Sequence, residues 1–192
     1  MGRAVPGSHS GSEGPLLIFE ETELKGAFRI EPEELRDERG FFARVWCQQE
    51  FVAHGLNPKL AQCSISFNRK KGTLRGMHYQ VAPHEEAKLV RCTSGAVHDV
   101  IIDLRPESAT FKRHYATVLS YANRQMLYIP ERFAHGFQTL EDDTEVLYLI
   151  SDFYAPESAR GVRWDDPAFG IEWPAGERII SQRDRTYPDL RK

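Results

Sequence analysis

The chain of 192 residues has the composition of an ordinary globular protein, with 41% hydrophobic and 28% charged residues. Its 25 basic and 28 acidic residues leave a net charge of −3, which excludes a general electrostatic attraction to nucleic acids or membrane surfaces. No apolar run approaches the roughly 20 residues that span a bilayer, and three widely spaced cysteines favour a reducing compartment, so we expect a cytoplasmic location.

The chain begins with a Gly- and Ser-rich segment, MGRAVPGSHSGSEGP, which lacks the apolar stretch of a secretory signal. We predict a flexible arm over residues 1–15 and one domain over residues 16–192. Beyond the arm, short segments rich in β-branched and aromatic residues are separated by Gly, Pro, Asn and Asp. The predicted strands are Gly26–Ile30, Phe41–Trp46, Leu60–Phe67, Thr73–Gln80, Ala87–Cys92, Ala96–Leu104, His114–Leu119, Gln125–Ile129, Gly136–Leu140 and Glu145–Ser151. One short helix is expected around Gln48 to His54, ended by Gly55.

About ten short strands in one domain predict an all-β fold, an antiparallel sandwich or jelly-roll barrel with few short helices. In AVHDVIIDL, Val97 and Ile101 alternate with Val100 and Ile102, so both faces of this strand are apolar. The outer face is therefore expected to be covered by another sheet or another subunit, and a homodimer is the simplest arrangement. The segment 164–190 carries turn residues and two tryptophans, and we expect it to pack over the barrel.

Ionisable residues interrupt several of these apolar strands. The pleat puts Lys88, Asp99 and Tyr148 on the same faces as their apolar neighbours, while His78 lies in LRGMHYQ and His135 follows the turn PERFAHGF. Each residue alone is more often structural than catalytic. The free-energy cost of burying several unpaired charges is prohibitive, however. The set therefore predicts a polar pocket at the barrel mouth that holds a ligand or water.

Arg75 stands apart from the basic run NRKKGTLR, which otherwise is typical of a solvated turn. In a regular strand Arg75 and His78 would lie on opposite faces. Gly76 between them permits a β-bulge that turns both side chains inward.

A metal site is the first alternative for the two histidines. Cupin barrels often bind a metal through an HxH pair, a glutamate and a later histidine. Here YQVAPHEEAK follows His78 without an HxH pair, and His84 lies in a Pro-containing turn. Two histidines without a clear third ligand make a weak site, so we expect no metal.

In the order and spacing of its motifs, the chain resembles the dTDP-4-dehydrorhamnose 3,5-epimerase family from about Asp37 to Asp184. The motifs are LRGMHYQ, EAKLVRC, HDVIIDLR, YIPERFAHGFQTL, EVLYLISDFYAPE and RGVRWDDPAFGIEWP. The resemblance implies a cupin-type jelly roll, usually dimeric, that epimerises nucleotide-diphosphate-linked 4-keto-6-deoxy sugars without a metal or organic cofactor.

The resemblance also implies four catalytic roles. His78 matches the family's general base, and a neutral histidine has a pKa near the operating pH. Asp184 in SQRD matches the aspartate that orients this imidazole, and Lys88 matches the lysine that stabilises the developing enolate. Tyr148 matches the tyrosine that returns a proton from the opposite face.

Five further residues are expected in the substrate pocket. Arg39 and Arg75 match arginines that contact the phosphates, for which a guanidinium is well shaped. Gln62 and His135 match pocket positions of the family, and Asp99 joins them through its position in an apolar strand.

Some positions depart from the family pattern. Arg44 replaces a common glutamate, and the usual QDN becomes Gln62-Cys63-Ser64. Ala159 replaces the glutamate of PEAERG. In the family these positions tend to serve the nucleotide, so the resemblance leaves the base open. A ketoisomerase on the same scaffold, a non-catalytic sugar-nucleotide binding module and a metal-dependent cupin oxygenase are the alternative functions.

Overall fold

Two antiparallel sheets, which face each other, and a separate hairpin make up the fold of the computed structural model, which describes residues 14–190. The predicted arm over residues 1–15 lies almost entirely outside the described residues. In spatial order the first sheet contains β1 (Leu17–Glu21), β2 (Phe28–Pro32), β10 (Met126–Ile129), β7 (Lys88–Ser94), β12 (Thr144–Ile150) and β5 (Gln62–Asn68).

The second sheet carries the tail of the chain as well as four long strands. In spatial order it contains β13 (Ala159–Gly161), β6 (Thr73–Gln80), β11 (Phe133–Thr139), β8 (Ala96–Asp103) and β9 (His114–Ser120), and β14 (Ile179–Ile180) pairs in parallel with β6. The hairpin contains β3 (Glu34–Asp37) and β4 (Gly40–Ala43), and the two short helices are α1 (Gln48–Ala53) and α2 (Gln182–Arg185).

The alternation of side chains along the strands builds the core. Val90 and Ile101 point between the sheets into one apolar cluster, whereas Leu89 points outward and packs with Phe51 of α1. Successive side chains of a strand lie on opposite faces, so a strand with two apolar faces needs cover on both sides.

The outer face of the second sheet is covered by the chain itself. Val100 and Ile102 of β8 pack against Val162 and Phe169, which belong to the segment after β13. The expectation that the tail packs over the barrel is therefore confirmed. The expectation of another sheet or subunit at this face is wrong, because the tail supplies the apolar cover.

The predicted all-β fold with few short helices is confirmed, and each of the ten predicted strands overlaps an observed one. Helix α1 ends as predicted, because Gly55 adopts φ +70°, a conformation that suits glycine. The strand predicted over Phe41–Trp46 ends at Ala43, since Val45 and Trp46 pack into the cluster beneath α1.

The short elements were missed. β1, β3, β13, β14 and α2 contain two to five residues each, too few to show a period in the sequence. Within residues 14–190, no helix is both long enough and apolar enough to cross a membrane.

Candidate active site

A cavity of about 340 Å³ lies between the two sheets at one end of the barrel. Its volume falls in the range of about 300–1,000 Å³ that is typical of small-molecule sites. Polar groups from both sheets and from α2 line it: Gln62, Ser64, His78, Glu86, Lys88, Tyr148, Arg160 and Arg183.

A β-bulge in β6 sets the position of His78. His78 pairs with His135 and Arg75 with Phe137, so three steps along β6 oppose two steps along β11. Gly76 lies in this bulge with φ +134°, and a Cβ on it would lie 2.5 Å from the Cα atom of Gly136. Only a glycine allows β11 to come this close. The predicted bulge is confirmed, but of the two side chains expected to turn inward only His78 lines the cavity, whereas Arg75 is exposed.

Asp184 reaches His78 from the far end of the chain. Its Oδ1 lies 2.8 Å from His78 Nε2, and its Oδ2 accepts a hydrogen bond from the Gly76 N–H. Ser181 caps α2 by accepting a hydrogen bond from the Asp184 N–H, which fixes the carboxylate. Burial alone would raise the pKa of Asp184, but the hydrogen bonds from His78 and Gly76 hold it below its usual value.

The pairing with Asp184 selects the tautomer of His78. An ionised carboxylate can only accept hydrogen bonds, so the Nε2 atom of His78 carries the proton. Nδ1 is then the nitrogen with a free lone pair. The His78 side chain is 40% exposed and lines the cavity, so this lone pair belongs to an accessible base.

Lys88 and Tyr148 lie on the other wall of the cavity. They occupy neighbouring strands of the first sheet, where Tyr148 pairs with Val90 and Ile150 pairs with Lys88. Lys88 and Tyr148 are thus diagonal neighbours on one face, within reach of one small ligand. His78, on the second sheet, lies across the cavity from them.

Tyr148 keeps its proton. Burial, followed by the negative charge of Asp99, raises the pKa of Tyr148, and the nearby Arg75 offsets only part of this rise. Tyr148 is therefore a neutral phenol at physiological pH and can act as a proton donor.

Asp99 and His135 form a second pair behind the cavity. His135 Nε2 lies 2.9 Å from Asp99 Oδ2, and both side chains are buried. The His135 ring lies 6.0 Å from the Tyr148 ring. These two residues were expected in the substrate pocket, and the structure puts them next to Tyr148 instead of on the cavity wall.

The three other predicted pocket residues differ in position. Gln62 lines the cavity and accepts a hydrogen bond from the Tyr154 N–H. Arg75 is exposed; its Nε donates a hydrogen bond to Asn68 Oδ1, and it does not line the cavity. Arg39 projects from the β3–β4 hairpin with 85% of its side chain exposed, outside the cavity of its own chain.

Sequence reasoning missed three charged groups of the cavity, Glu86, Arg160 and Arg183. Arg183 immediately precedes Asp184 in SQRD, and Glu86 lies two residues before Lys88, on the same face by the pleat. These two neighbours were signals that the sequence contained. Arg160 begins the motif RGVRWDDPAFGIEWP, but β13 has only three residues, too few for a pattern that would assign the Arg160 side chain to the cavity.

Two of the positions that depart from the family pattern, Ser64 and Ala159, line the cavity. Arg44 does not, since its Nη1 pairs with Glu50 Oε1 at 2.8 Å. Among residues 14–190, no group of three or more His, Cys, Asp or Glu side chains is arranged to hold a metal ion.

Comparison with known proteins identifies the family. The family described as dTDP-4-dehydrorhamnose 3,5-epimerase matches residues 21–192. The chain belongs to this family. The dTDP-4-dehydrorhamnose 3,5-epimerase of Sinorhizobium fredii is 37% identical over 181 residues, covering 94% of this chain and 93% of that protein.

Solved structures agree with this family membership. The dTDP-4-dehydrorhamnose 3,5-epimerase of Elizabethkingia anophelis superposes with a TM-score of 0.88 at 37% identity, covering 91% of this chain and 96% of that one. The dTDP-6-deoxy-D-glucose-3,5-epimerase of Legionella pneumophila, in complex with dTDP-4-keto-L-rhamnose, gives a TM-score of 0.85 at 34% identity, with 91% and 93% covered. Both are epimerases, and the predicted resemblance is confirmed.

Proposed function

We propose that this member of the family epimerises a nucleotide-diphosphate-linked 4-keto-6-deoxyhexose at carbon 3, carbon 5 or both, in the biosynthesis of a deoxysugar. One observation carries the proposal. A histidine base backed by Asp184 lines one wall of a single cavity, and a phenol and an ammonium line the wall opposite. Inversion of a carbon centre needs a base and an acid on opposite sides of that carbon, and this cavity has both.

The reaction begins when His78 Nδ1 removes a proton from the carbon next to the ketone. The negative charge of Asp184 stabilises the resulting imidazolium, while the Lys88 ammonium stabilises the enolate oxygen. Tyr148 then donates its proton to the same carbon from the opposite side, which inverts the centre. Proton exchange with water restores His78 and Tyr148 for the next turnover.

The nucleotide end of the substrate is assigned to arginines at the edge of this site. Arg160 and Arg183 line the cavity, and a guanidinium can bind a phosphate through two parallel hydrogen bonds. Arg75 and Gln62 remain candidates for the same substrate. Ser64 and Ala159, two positions at which the chain departs from the family pattern, line this cavity. The base of the nucleotide therefore need not be thymine.

We also propose that the protein is a homodimer. Strand β5 is an edge of the first sheet and exposes Ile65 and Phe67, and the hairpin exposes Phe42. An unpaired edge with large apolar side chains is suited to cover by another chain. Arg39 would bind the phosphates of the partner's substrate from this hairpin, which explains its distance from its own cavity.

Light scattering after size exclusion tests the dimer. The protein should run at twice the mass of one chain, and Phe67→Asp should run as a monomer. Val118→Asp, at an exposed position on β9 of the second sheet, is the matched control and should stay dimeric. A wild-type protein with the mass of one chain would contradict the proposal.

A cytoplasmic location is proposed as well, in keeping with three cysteines that form no disulfide.

Isotope exchange tests the reaction. Incubation with 4-keto-6-deoxyhexoses linked to thymidine, uridine, cytidine or guanosine diphosphate in deuterated water should give deuterium at carbon 3, carbon 5 or both. The number of labelled carbons separates single from double epimerisation. If none of the four substrates acquires carbon-bound deuterium, the proposed reaction is wrong.

A further inference from the structure

We infer that Glu86 is a positioning residue for the reaction: it holds the Lys88 ammonium where the enolate oxygen forms. This inference rests on the proposed function. Lys88 Nζ lies 2.8 Å from Glu86 Oε1, and the two side chains are only 11% and 10% exposed. Both line the same cavity as His78 and Tyr148.

Glu86 is the partner that fixes Lys88. Within the described part of the chain, no other carboxylate lies within 4.0 Å of the Lys88 ammonium. A lysine carries its charge on a flexible four-carbon stem, so an unpaired Lys88 would move among several rotamers. A carboxylate on one side of the ammonium narrows this range and leaves the opposite side directed at the ligand.

The backbone next to Glu86 is itself held in place. The Ala87 N–H donates a hydrogen bond to Ser151 Oγ at 2.8 Å, and the Ser151 N–H donates to the Ala87 carbonyl at 3.0 Å. Ala87 and Ser151 are both buried. Glu86 therefore projects from an anchored segment at the start of β7, and its carboxylate is a fixed reference point for Lys88.

Two effects of Glu86 on the rate oppose each other. Its negative charge disfavours an enolate nearby, whereas its hold on Lys88 favours one. Among the described residues that line the cavity, Glu86 is the only acidic one, and it is accompanied by Lys88, Arg160 and Arg183. Because these cations offset its charge and because preorganised charges give most of the stabilisation in such sites, the positioning effect is the larger one.

A double-mutant cycle with Glu86→Gln and Lys88→Met tests the inference. Glu86→Gln should lower kcat by about 10- to 100-fold with little change in KM, less than the roughly 10²- to 10³-fold cost of deleting an oxyanion donor. In the Lys88→Met background the same substitution should change kcat less than threefold, because there is no ammonium left to position. The kcat of Glu86→Asp should lie between those of the wild type and Glu86→Gln.

Glu85→Gln is the matched control. This control makes the same chemical change one residue earlier in the chain. Glu85 Oε1 lies 3.7 Å from Arg132 Nε, and Glu85 lies outside the cavity. The kcat of Glu85→Gln should therefore equal that of the wild type. An unchanged or raised kcat in Glu86→Gln would overturn the inference, as would an equal loss in both backgrounds. Wild-type exchange of deuterium decides the proposed function separately, since it is measured without any substitution.

Discussion

Two histidine–aspartate pairs of nearly equal geometry occupy the same barrel. The Nε2 atom of His78 lies 2.8 Å from Asp184, and that of His135 lies 2.9 Å from Asp99. Their surroundings differ, because the His78 side chain is 40% exposed whereas that of His135 is 5% exposed. A base must reach the hydrogen it removes, so access to the cavity, and not the hydrogen bond, distinguishes the two pairs.

The two pairs are also built differently. His135 and Asp99 lie on adjacent strands, where Asp99 pairs with Phe137, so the sheet alone brings them together. Asp184 is 106 residues from His78 and comes from the tail, beside the bulge at Gly76. The accessible pair depends on the docking of the tail, and the buried pair depends only on the sheet.

The largest expected effect of a substitution is on the accessible pair. We expect His78→Ala to lower the rate of epimerisation by about 10²- to 10⁴-fold, which is the usual contribution of a positioned acid or base. Deuterium exchange under single-turnover conditions measures the loss, and circular dichroism should show an unchanged fold, since His78 lies at the cavity surface. Near-normal turnover in this variant would mean that His78 is not the base.

Asp184→Asn and Asp99→Asn compare the two carboxylates directly. The amide of Asp184→Asn cannot stabilise an imidazolium and can donate to Nε2, which selects the wrong tautomer of His78. We expect a loss of about 10²-fold in kcat. The free energy of unfolding should also fall somewhat, because the hydrogen bonds that hold the pKa of the buried Asp184 carboxylate below its usual value stabilise the folded state.

Asp99→Asn should act mainly on stability. It removes a buried carboxylate whose two oxygens lie 3.1 and 2.9 Å from His135 Nε2. We expect the free energy of unfolding to fall by about 1–3 kcal/mol. The loss of kcat should be smaller than that of Asp184→Asn. If the order of the two losses in kcat were reversed, the buried pair would be the reactive one.

Much of the site could be predicted from local pattern. The pleat assigns Lys88 and Tyr148 to faces that meet in one cavity, and Gly76 predicted the bulge that positions His78. Asp184 could not be found in this way, because the four-residue helix α2 is too short to show a period and the partner of Asp184 lies 106 residues away. Only the resemblance to a family indicated it.

The positions of Arg39 and Asp99 show the limits of the same reasoning. Motif matching assigned Arg39 to a substrate pocket, and the pleat of an apolar strand assigned Asp99 to it, but neither kind of pattern contains distances. The hairpin that carries Arg39 forms a sheet of its own, and the exposed Arg39 side chain does not line the cavity. Asp99 is fully buried beside His135. Short elements such as β13 and β14 exist because β6 offers edges for pairing, which is a tertiary effect that no local window contains.

Tyr148 lies between the two pairs, with its ring 6.0 Å from His135 and across the cavity from His78. Tyr148→Phe removes the donor but leaves the base, so deuterium should still enter the substrate with its configuration retained. Net inversion should fall by about 10- to 100-fold, near the lower range for loss of a general acid. NMR of the recovered sugar separates retained from inverted label, and equal losses of exchange and inversion would show that Tyr148 does not act as the second acid.

The smallest effect on kcat is expected at Asp103, another buried aspartate, on the strand that carries Asp99. Burial alone would raise the pKa of Asp103, but hydrogen bonds from Arg105, Ser108 and Thr110 lower it to about 2. Because the folded-state pKa lies below the unfolded value of 3.8, the ionised form stabilises the fold above about pH 4, and this contribution disappears as the pH falls to about 2.

Asp103→Asn should therefore lower the free energy of unfolding by about 2 kcal/mol at neutral pH, because the folded-state pKa of about 2 lies below the unfolded value of 3.8. Urea unfolding of both proteins at several pH values should show this difference shrinking below about pH 4, while kcat at neutral pH stays unchanged because Asp103 touches neither pair. A difference that persisted at low pH would assign the loss to packing. A loss of kcat would instead show that this end of β8 is coupled to the accessible pair. Asp103 would then not be a purely structural carboxylate.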